Sequence, residues 1–540
     1  MRTIALARRA SDRADDLRET QPPKTPTARW ADAWRPFVPA FYAAAALNLF
    51  ALLPILLFVP RYIDDNGRAT VGVAGWFVGG RPLSDALMKL LDGGEPIALA
   101  TPLFQLLAIA LLAASASIVG HMFRIRSPFW TAVVALPLAA QPYFLENMSY
   151  SFDATTMSAG LLLAVGAAAV ACSEALGTFM RPVVVAVLLV ASFSLYQPST
   201  VVFLPLGVAV VVARLMQDDE DGWRVAVSVG THLLAFGVAL VVYRFGVLAS
   251  SELAGYTSQN ARMFPVDATL VGKVLGNVRL YWARVSLDWA GTPLYALAGA
   301  LVGATGLAGV IAAWRTRRAA LRVFAGAVLL GVTAAFVHGP SLLLVDPFLQ
   351  PRTFVSLGGL SSGVAALLFT FSSATASVWW RRAVSWGARA VLVAVAWQLV
   401  VVSYSYVGAF RSQAEFEQSL LTRIAYDVEH IQQALAEEAV ETVTFVGTLP
   451  ASPILRNSSR KLPFLGALVP RLLSGNWWWG HVVLNNYLAS GALAHSDLAL
   501  TPTQAAELRA DGSARELFAS GAYRGFVYDG TLVVEFASAP

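Results

Sequence analysis

Residues 37–59 read FVPAFYAAAALNLFALLPILLFV, and residues 60–68 continue PRYIDDNGR. The first stretch carries no charge over 23 residues, so as a helix it reaches about 35 Å, enough to cross the hydrocarbon core of a bilayer. The second turns abruptly polar, which pins Arg61, Asp64, Asp65 and Arg68 where that helix leaves the membrane. Fold and candidate chemistry meet at this junction.

Working outward, apolar blocks recur at about 101 to 122, 128 to 144, 154 to 173, 182 to 197, 199 to 216, 225 to 248, 292 to 314, 321 to 343, 354 to 378 and 388 to 410. Their lengths predict membrane helices, about eleven in all, and they lack the period-two alternation of barrel strands. Composition agrees, since 56% hydrophobic and 14% charged residues leave too little polar surface to cover 540 residues of soluble domains. The net charge of +5 does not indicate nucleic acid, because the basic residues form short clusters between apolar blocks instead of one basic face. One cysteine, Cys172, excludes an internal disulfide and a cysteine-built zinc site, and within its apolar block it reads as core. The six histidines make no HxxxH or HExxH pattern, and no glycine pattern for a nucleotide phosphate occurs.

Under this assignment the tail through Arg35, Arg124 with Arg126, Arg181, Arg224, the run Arg315, Arg317, Arg318 and Arg322, and Arg381 with Arg382 fall on one side, predicted to be the cytoplasm. Alternation then puts segment 60–100, the turn Glu146 to Asp153, a long loop from about 249 to 291 and everything after about 411 on the other side. The expected fold is mainly α: a polytopic transmembrane helical bundle of about eleven helices with a small C-terminal α/β domain outside the cytoplasm. Residues 1–36 are expected to be a disordered cytoplasmic tail and 37–410 the membrane domain, with 60–100 as interfacial amphipathic helices. Residues 411–540 are expected to open with a helix near 413 to 438 and to contain a strand at 441–447. A hairpin is expected across Asp529-Gly530.

Adjacent aspartate side chains diverge, so one of Asp64 and Asp65 can face a cavity as general base for a hydroxyl while the other positions a group or a cation. A solvated turn or a helix N-cap is the competing reading. Glu146 and Asp153 fill a short turn on the same side; Asp153 also reads as a cap for the helix that follows. Tyr196 and Gln197, in Ser194-Leu195-Tyr196-Gln197-Pro198-Ser199, offer groups suited to sugar hydroxyls or make an ordinary turn with proline opening a helix. Beyond His338-Gly339-Pro340, Arg352 offers a planar fork for a phosphate or anchors lipid headgroups. Trp477-Trp478-Trp479 reads as an interfacial anchor, a sugar-stacking platform or a contact docking the tail. A divalent cation on Asp64, Asp65, Glu146 or Asp153 is a further option; no other cofactor is indicated.

Taken in order, Asp64-Asp65-Asn66-Gly67-Arg68, Gly75-Trp76, Gly80-Arg81-Pro82-Leu83, Pro102-Leu103, Glu146 to Asp153, Ser194-Leu195-Tyr196-Gln197 and Pro351-Arg352 resemble the GtrII-type family of O-antigen-modifying, serotype-converting glucosyltransferases. The resemblance covers most of the membrane portion and implies a GT-C membrane glycosyltransferase in the bacterial inner membrane. Such an enzyme takes a hexose, usually glucose, from a polyprenyl phosphate carrier and attaches it to lipopolysaccharide O-antigen or a related surface polysaccharide. It further implies a flippase and a polyprenyl phosphate sugar synthase as pathway partners. An acidic residue of the first external loop is generally the base in such enzymes, and the matching positions here are Asp64 and Asp65. Arg68, Arg81 and Arg352 are the candidates to hold the phosphate, with Glu146, Asp153, Tyr196 and Gln197 contacting substrate. The alternative class is a transporter or flippase for a lipid-linked substrate, which would place ionisable groups at mid-membrane depth.

Overall fold

The computed structural model describes residues 35, 37–173, 176–217, 222–250, 255–314, 316, 318–373, 379–437, 439–489 and 491–537. The expected tail at 1–36 lies outside the described residues except for Arg35, as do Arg315 and Arg317. Eight helices are long and apolar enough to cross a membrane, and three shorter apolar helices, 128–140, 180–195 and 319–335, stand at the other expected positions. The chain is a mainly α polytopic bundle with a small α/β domain at its C-terminal end.

Six helices frame the candidate site: α1 (Val38–Phe58), α2 (Asp64–Val71), α3 (Pro82–Asp92), α4 (Leu103–Met122), α5 (Pro142–Ser149) and α6 (Ala154–Ala171). Pro82 and Pro142 open α3 and α5, where a missing N–H costs nothing. Segment 60–100 carries the short helices α2 and α3, with non-helical stretches at 72–76 and 93–100. Ala74, Trp76, Met88 and Ile97 turn inward against Phe104 and Phe152, while Val71 and Leu90 stay exposed, as suits a layer lying in a membrane interface.

Two stretches differ from expectation. The loop expected at about 249 to 291 holds α7 (Leu270–Trp289), because Val274, Val278, Tyr281, Trp282, Val285 and Trp289 form one apolar face while Lys273, Arg279 and Arg284 lie off it. The membrane helix expected at 388–410 and the tail helix expected at 413–438 are one continuous helix, α8 (Trp379–His430), of 52 residues. No proline interrupts it, and at 1.5 Å per residue it runs about 78 Å, far beyond the bilayer core.

The outer part of α8 supports a five-stranded sheet in the order β2-β1-β5-β4-β3: β1 (Thr442–Val446), β2 (Ala494–His495), β3 (Arg515–Ala519), β4 (Tyr523–Tyr528) and β5 (Thr531–Phe536). β1 lies parallel to β2 and β5, and β4–β5 is the expected hairpin, with Asp529 at φ 48° and Gly530 at φ 67°. Two positive φ values match the turn twist that joins neighbouring strands. Val443 and Phe445 face a core with Leu420 and Ile424 of α8, whereas Val446, Phe526 and Val533 face Ala505 on the opposite side.

Buried side chains of α8 bind the tail to the bundle. Gln413 Oε1 accepts from the Ser452 amide at 2.7 Å, and Glu417 Oε2 accepts from the Leu472 amide at 3.1 Å. Leaving either amide unsatisfied costs about 1–3 kcal/mol. The double variant Gln413→Ala/Glu417→Ala is expected to expose residues 442–536 to limited proteolysis about tenfold faster while the membrane helices stay resistant; unchanged cleavage would remove this role.

Candidate functional site

The nine residues singled out in the sequence converge at one end of the bundle, and Asp153 is the hub. Its carboxylate is 2% exposed and takes Arg68 Nη1 at 2.6 Å, Arg81 Nη1 at 2.9 Å and the Trp76 indole N–H at 2.7 Å. Burial pushes this carboxyl up, but Arg68, Arg81 and the indole outweigh it and hold Asp153 below the usual carboxylate range. Asp153 does not cap its helix with its side chain, so the capping reading fails.

Asp64 and Asp65 occupy the first turn of α2, and neither side chain caps it. The residue before them, Ile63, is held at φ 33°, a conformation costly for a β-branched residue. The turn splits the pair. Asp65 is fully buried, its Oδ2 accepting from the Ser151 amide at 2.6 Å and its Oδ1 from the Phe152 amide at 3.4 Å. Asp64 keeps a third of its side chain exposed, accepts no hydrogen bond from a described residue, and lies 3.9 Å from Arg68.

Glu146 forms the second half of the cluster. It accepts from the Arg352 amide at 2.7 Å and from Arg352 Nη1 at 3.4 Å, while that same Nη1 donates to the Tyr150 hydroxyl at 2.5 Å. Burial raises the Glu146 carboxyl against the pull of Arg352. The Tyr196 hydroxyl donates to the Arg352 carbonyl at 2.9 Å, and the Gln197 amide donates to the Tyr243 hydroxyl at 2.7 Å. Asp64 acts electrostatically on both Tyr150 and Arg352, so the two halves share one field.

Arg81, Tyr196, Gln197, Tyr243 and Arg352 line a cavity of about 310 Å³ beside this network. Arg68 is not among its walls; it pairs with Asp153 and stacks over the Trp76 ring at 4.4 Å. His338, stacked on Tyr281 at 4.3 Å, is pushed down to about 3 by burial, so it brings no charge to the site near neutral pH. The sequence reading missed Trp76, Tyr150 and Tyr243 as individual contributors, although Trp76 and Tyr150 stand inside the quoted motifs. Tyr243 carried no signal, because it enters from a distant membrane helix.

A divalent cation finds poor provision here. Asp65, Glu146 and Asp153 already have their oxygens engaged, and among the described residues no group of three or more His, Cys, Asp or Glu side chains gathers as ligands. The tail domain borders the site: the helix Trp479–Asn485 packs on α2, and the Trp479 ring would come within 3.0 Å of a Cβ at Gly67. Gly67 lies three residues beyond Asp64, on the same side of α2.

The family model described as Glucosyl transferase GtrII matches residues 53–362, more than half of the chain and all nine of these residues. The chain belongs to the GtrII glucosyl transferase family. It is also similar to an uncharacterized 55.3 kDa protein in the gtrB 5' region of Salmonella phage P22, with 22% identity over 460 residues, covering 84% of this chain and 91% of the relative. Membership in this family makes the chain a glucosyltransferase, and its apolar helices are those of a membrane protein.

Two outcomes follow from the hub and the buried aspartate. Asp153→Asn leaves the part-buried Arg68 and Arg81 without the carboxylate they share, a loss of about 2–3 kcal/mol that thermal unfolding in detergent should register. Burial raises Asp65 to about 7, so its folded form holds a proton more tightly than the unfolded chain does. Stability from this group is therefore full below about pH 4 and falls as pH rises toward 7. The difference in melting temperature between wild type and Asp65→Asn should change across that window; a pH-independent difference would show that burial does not govern this carboxyl.

Proposed function

We propose that the protein transfers a hexose, glucose in the first instance, from a polyprenyl phosphate carrier to a surface polysaccharide such as lipopolysaccharide O-antigen, with Asp64 as the base. The observation that carries this reading is the division of the aspartate pair. Asp65 is spent on the 151–152 backbone, whereas Asp64 remains partly open, unbonded and electrostatically coupled to Arg352.

In this reading the acceptor hydroxyl gives its proton to Asp64 while its oxygen attacks the anomeric carbon. The bond from that carbon to the phosphate oxygen breaks, and polyprenyl phosphate leaves with the electron pair. Arg81 and Arg352, both lining the cavity of about 310 Å³, would neutralise that developing charge with guanidinium forks. Arg68 then acts by fixing Asp153 and Trp76 and not by touching the phosphate.

An apolar slot of about 770 Å³ supports a lipid carrier. It runs between α7 and the membrane helices 293–313, 319–335 and 356–373, from Trp282 and Trp289 toward Met216 and Val323. Glycines at 299, 306, 309, 326 and 331 keep its walls thin. An isoprenoid chain buried there would gain roughly 25 cal/mol per Å² of apolar surface removed from water. The reading places the site at the outer face of a bacterial inner membrane, with the tail domain on the same side.

Asp64→Asn is expected to lower turnover with polyprenyl phosphate glucose by about 10²–10⁴-fold with donor binding retained, because it removes a proton acceptor and no anchor. Arg81→Ala and Arg352→Ala should instead weaken donor binding, measured as polyprenyl phosphate glucose affinity in detergent. Wild-type turnover in Asp64→Asn would sink the assignment.

A further inference from the structure

The tail domain carries a second cavity that shares no wall with the site above. It measures about 650 Å³ and is lined by Gly447, Thr448, Arg456, Arg471, Gly475 and Thr501, among others. Its position follows from the sheet. The chain leaves β1 through 447–452 toward the face covered by α8, and leaves β2 through 496–501 toward the opposite face, where Ala505 packs on Val446 and Phe526. Two neighbouring parallel strands whose connections depart on opposite faces open a crevice beyond their carboxyl ends, which is where open α/β sheets take ligands.

The crevice has one sign of charge. Arg471 Nη1 donates to the Leu449 carbonyl at 3.2 Å, which fixes its guanidinium at the wall, and Arg456 projects from the first helical turn of Pro453–Lys461. No carboxylate of the described residues lies within 4.0 Å of either guanidinium, whereas Arg68, Arg352 and Arg509 each have one. Thr448 adds a hydroxyl, while the Thr501 hydroxyl is held by Gln504 in the cap of the helix 502–510. A volume of this size suits one or two sugar rings.

We propose that this crevice is a second ligand site, taking a sugar-sized molecule that bears a phosphate or a carboxylate, with Arg456 and Arg471 as its cations. The inference does not depend on Asp64 or on glucosyl transfer. Beside a glucosyltransferase site, such a pocket would read charged groups on a glycan.

The test is calorimetric titration of the purified full-length chain in detergent with glucose 6-phosphate, glucuronate and glucose. Binding of either anion at least about tenfold tighter than glucose supports the site, and the preferred anion identifies a phosphate or a carboxylate as its source. The charge reversal Arg456→Glu and the filling substitution Thr448→Trp, both at exposed positions, should each weaken that binding about tenfold or more, while Asp64→Asn leaves it unchanged. No anion binding at 10 mM (about the limit of a specific site), glucose binding as tightly as the anions, or unaltered binding in both crevice variants would overturn the proposal.

Discussion

A carboxylate removed from water must be paired, and Asp153 is paired three times over. Arg68 and Arg81 arrive from different elements of segment 60–100, and Trp76 from between them, so one buried charge draws that whole segment onto the bundle. Burial is outweighed by Arg68 and Arg81, which hold the Asp153 carboxyl below the usual range and keep the charge in place near neutral pH. Asp65 adds a second tie by accepting the 151–152 amides, and Glu146 repeats the device for the 351–353 turn through Arg352. The polar layer is a set of charge pairs that no bilayer or solvent could satisfy from outside.

Those ties explain why neighbouring aspartates differ in role. Asp65 accepts from the backbone of the Glu146–Asp153 turn, and Asp64, one position earlier on α2 and so about 100° round it, stays partly exposed beside Arg68. One becomes an anchor and the other keeps its lone pairs. Arg68 likewise serves structure, while Arg81 and Arg352 reach a cavity where an anion can be met. Of the three arginines expected to hold a phosphate, Arg81 and Arg352 line that cavity and Arg68 does not.

The long helix α8 couples this layer to the tail. Because nothing breaks it near 410, the tail domain is built on a direct extension of the membrane core, and Gln413 and Glu417 hold its loops down. Trp479 then lies against α2, and the tail becomes part of the surroundings of Asp64. The aromatic run therefore serves at least as a docking contact.

What the sequence by itself determined was local and periodic. Apolar length placed the helices, Asp529-Gly530 placed the hairpin, and the order of short motifs pointed to the residues that converge, because each depends on neighbours a few positions away. At 270–289, where charged residues interrupt the apolar face, and near 410, where polarity rises without a proline, apolar length alone misjudged a loop and a break. Only the tertiary structure decided which charge meets which: that Asp153 is a hub and not a cap, that Asp65 is spent and Asp64 is open, and that Tyr243 completes the cluster. Pairings across 70 to 200 residues are set by how helices pack, and a buried charge shows its partner only once the low-dielectric surroundings that demand one exist.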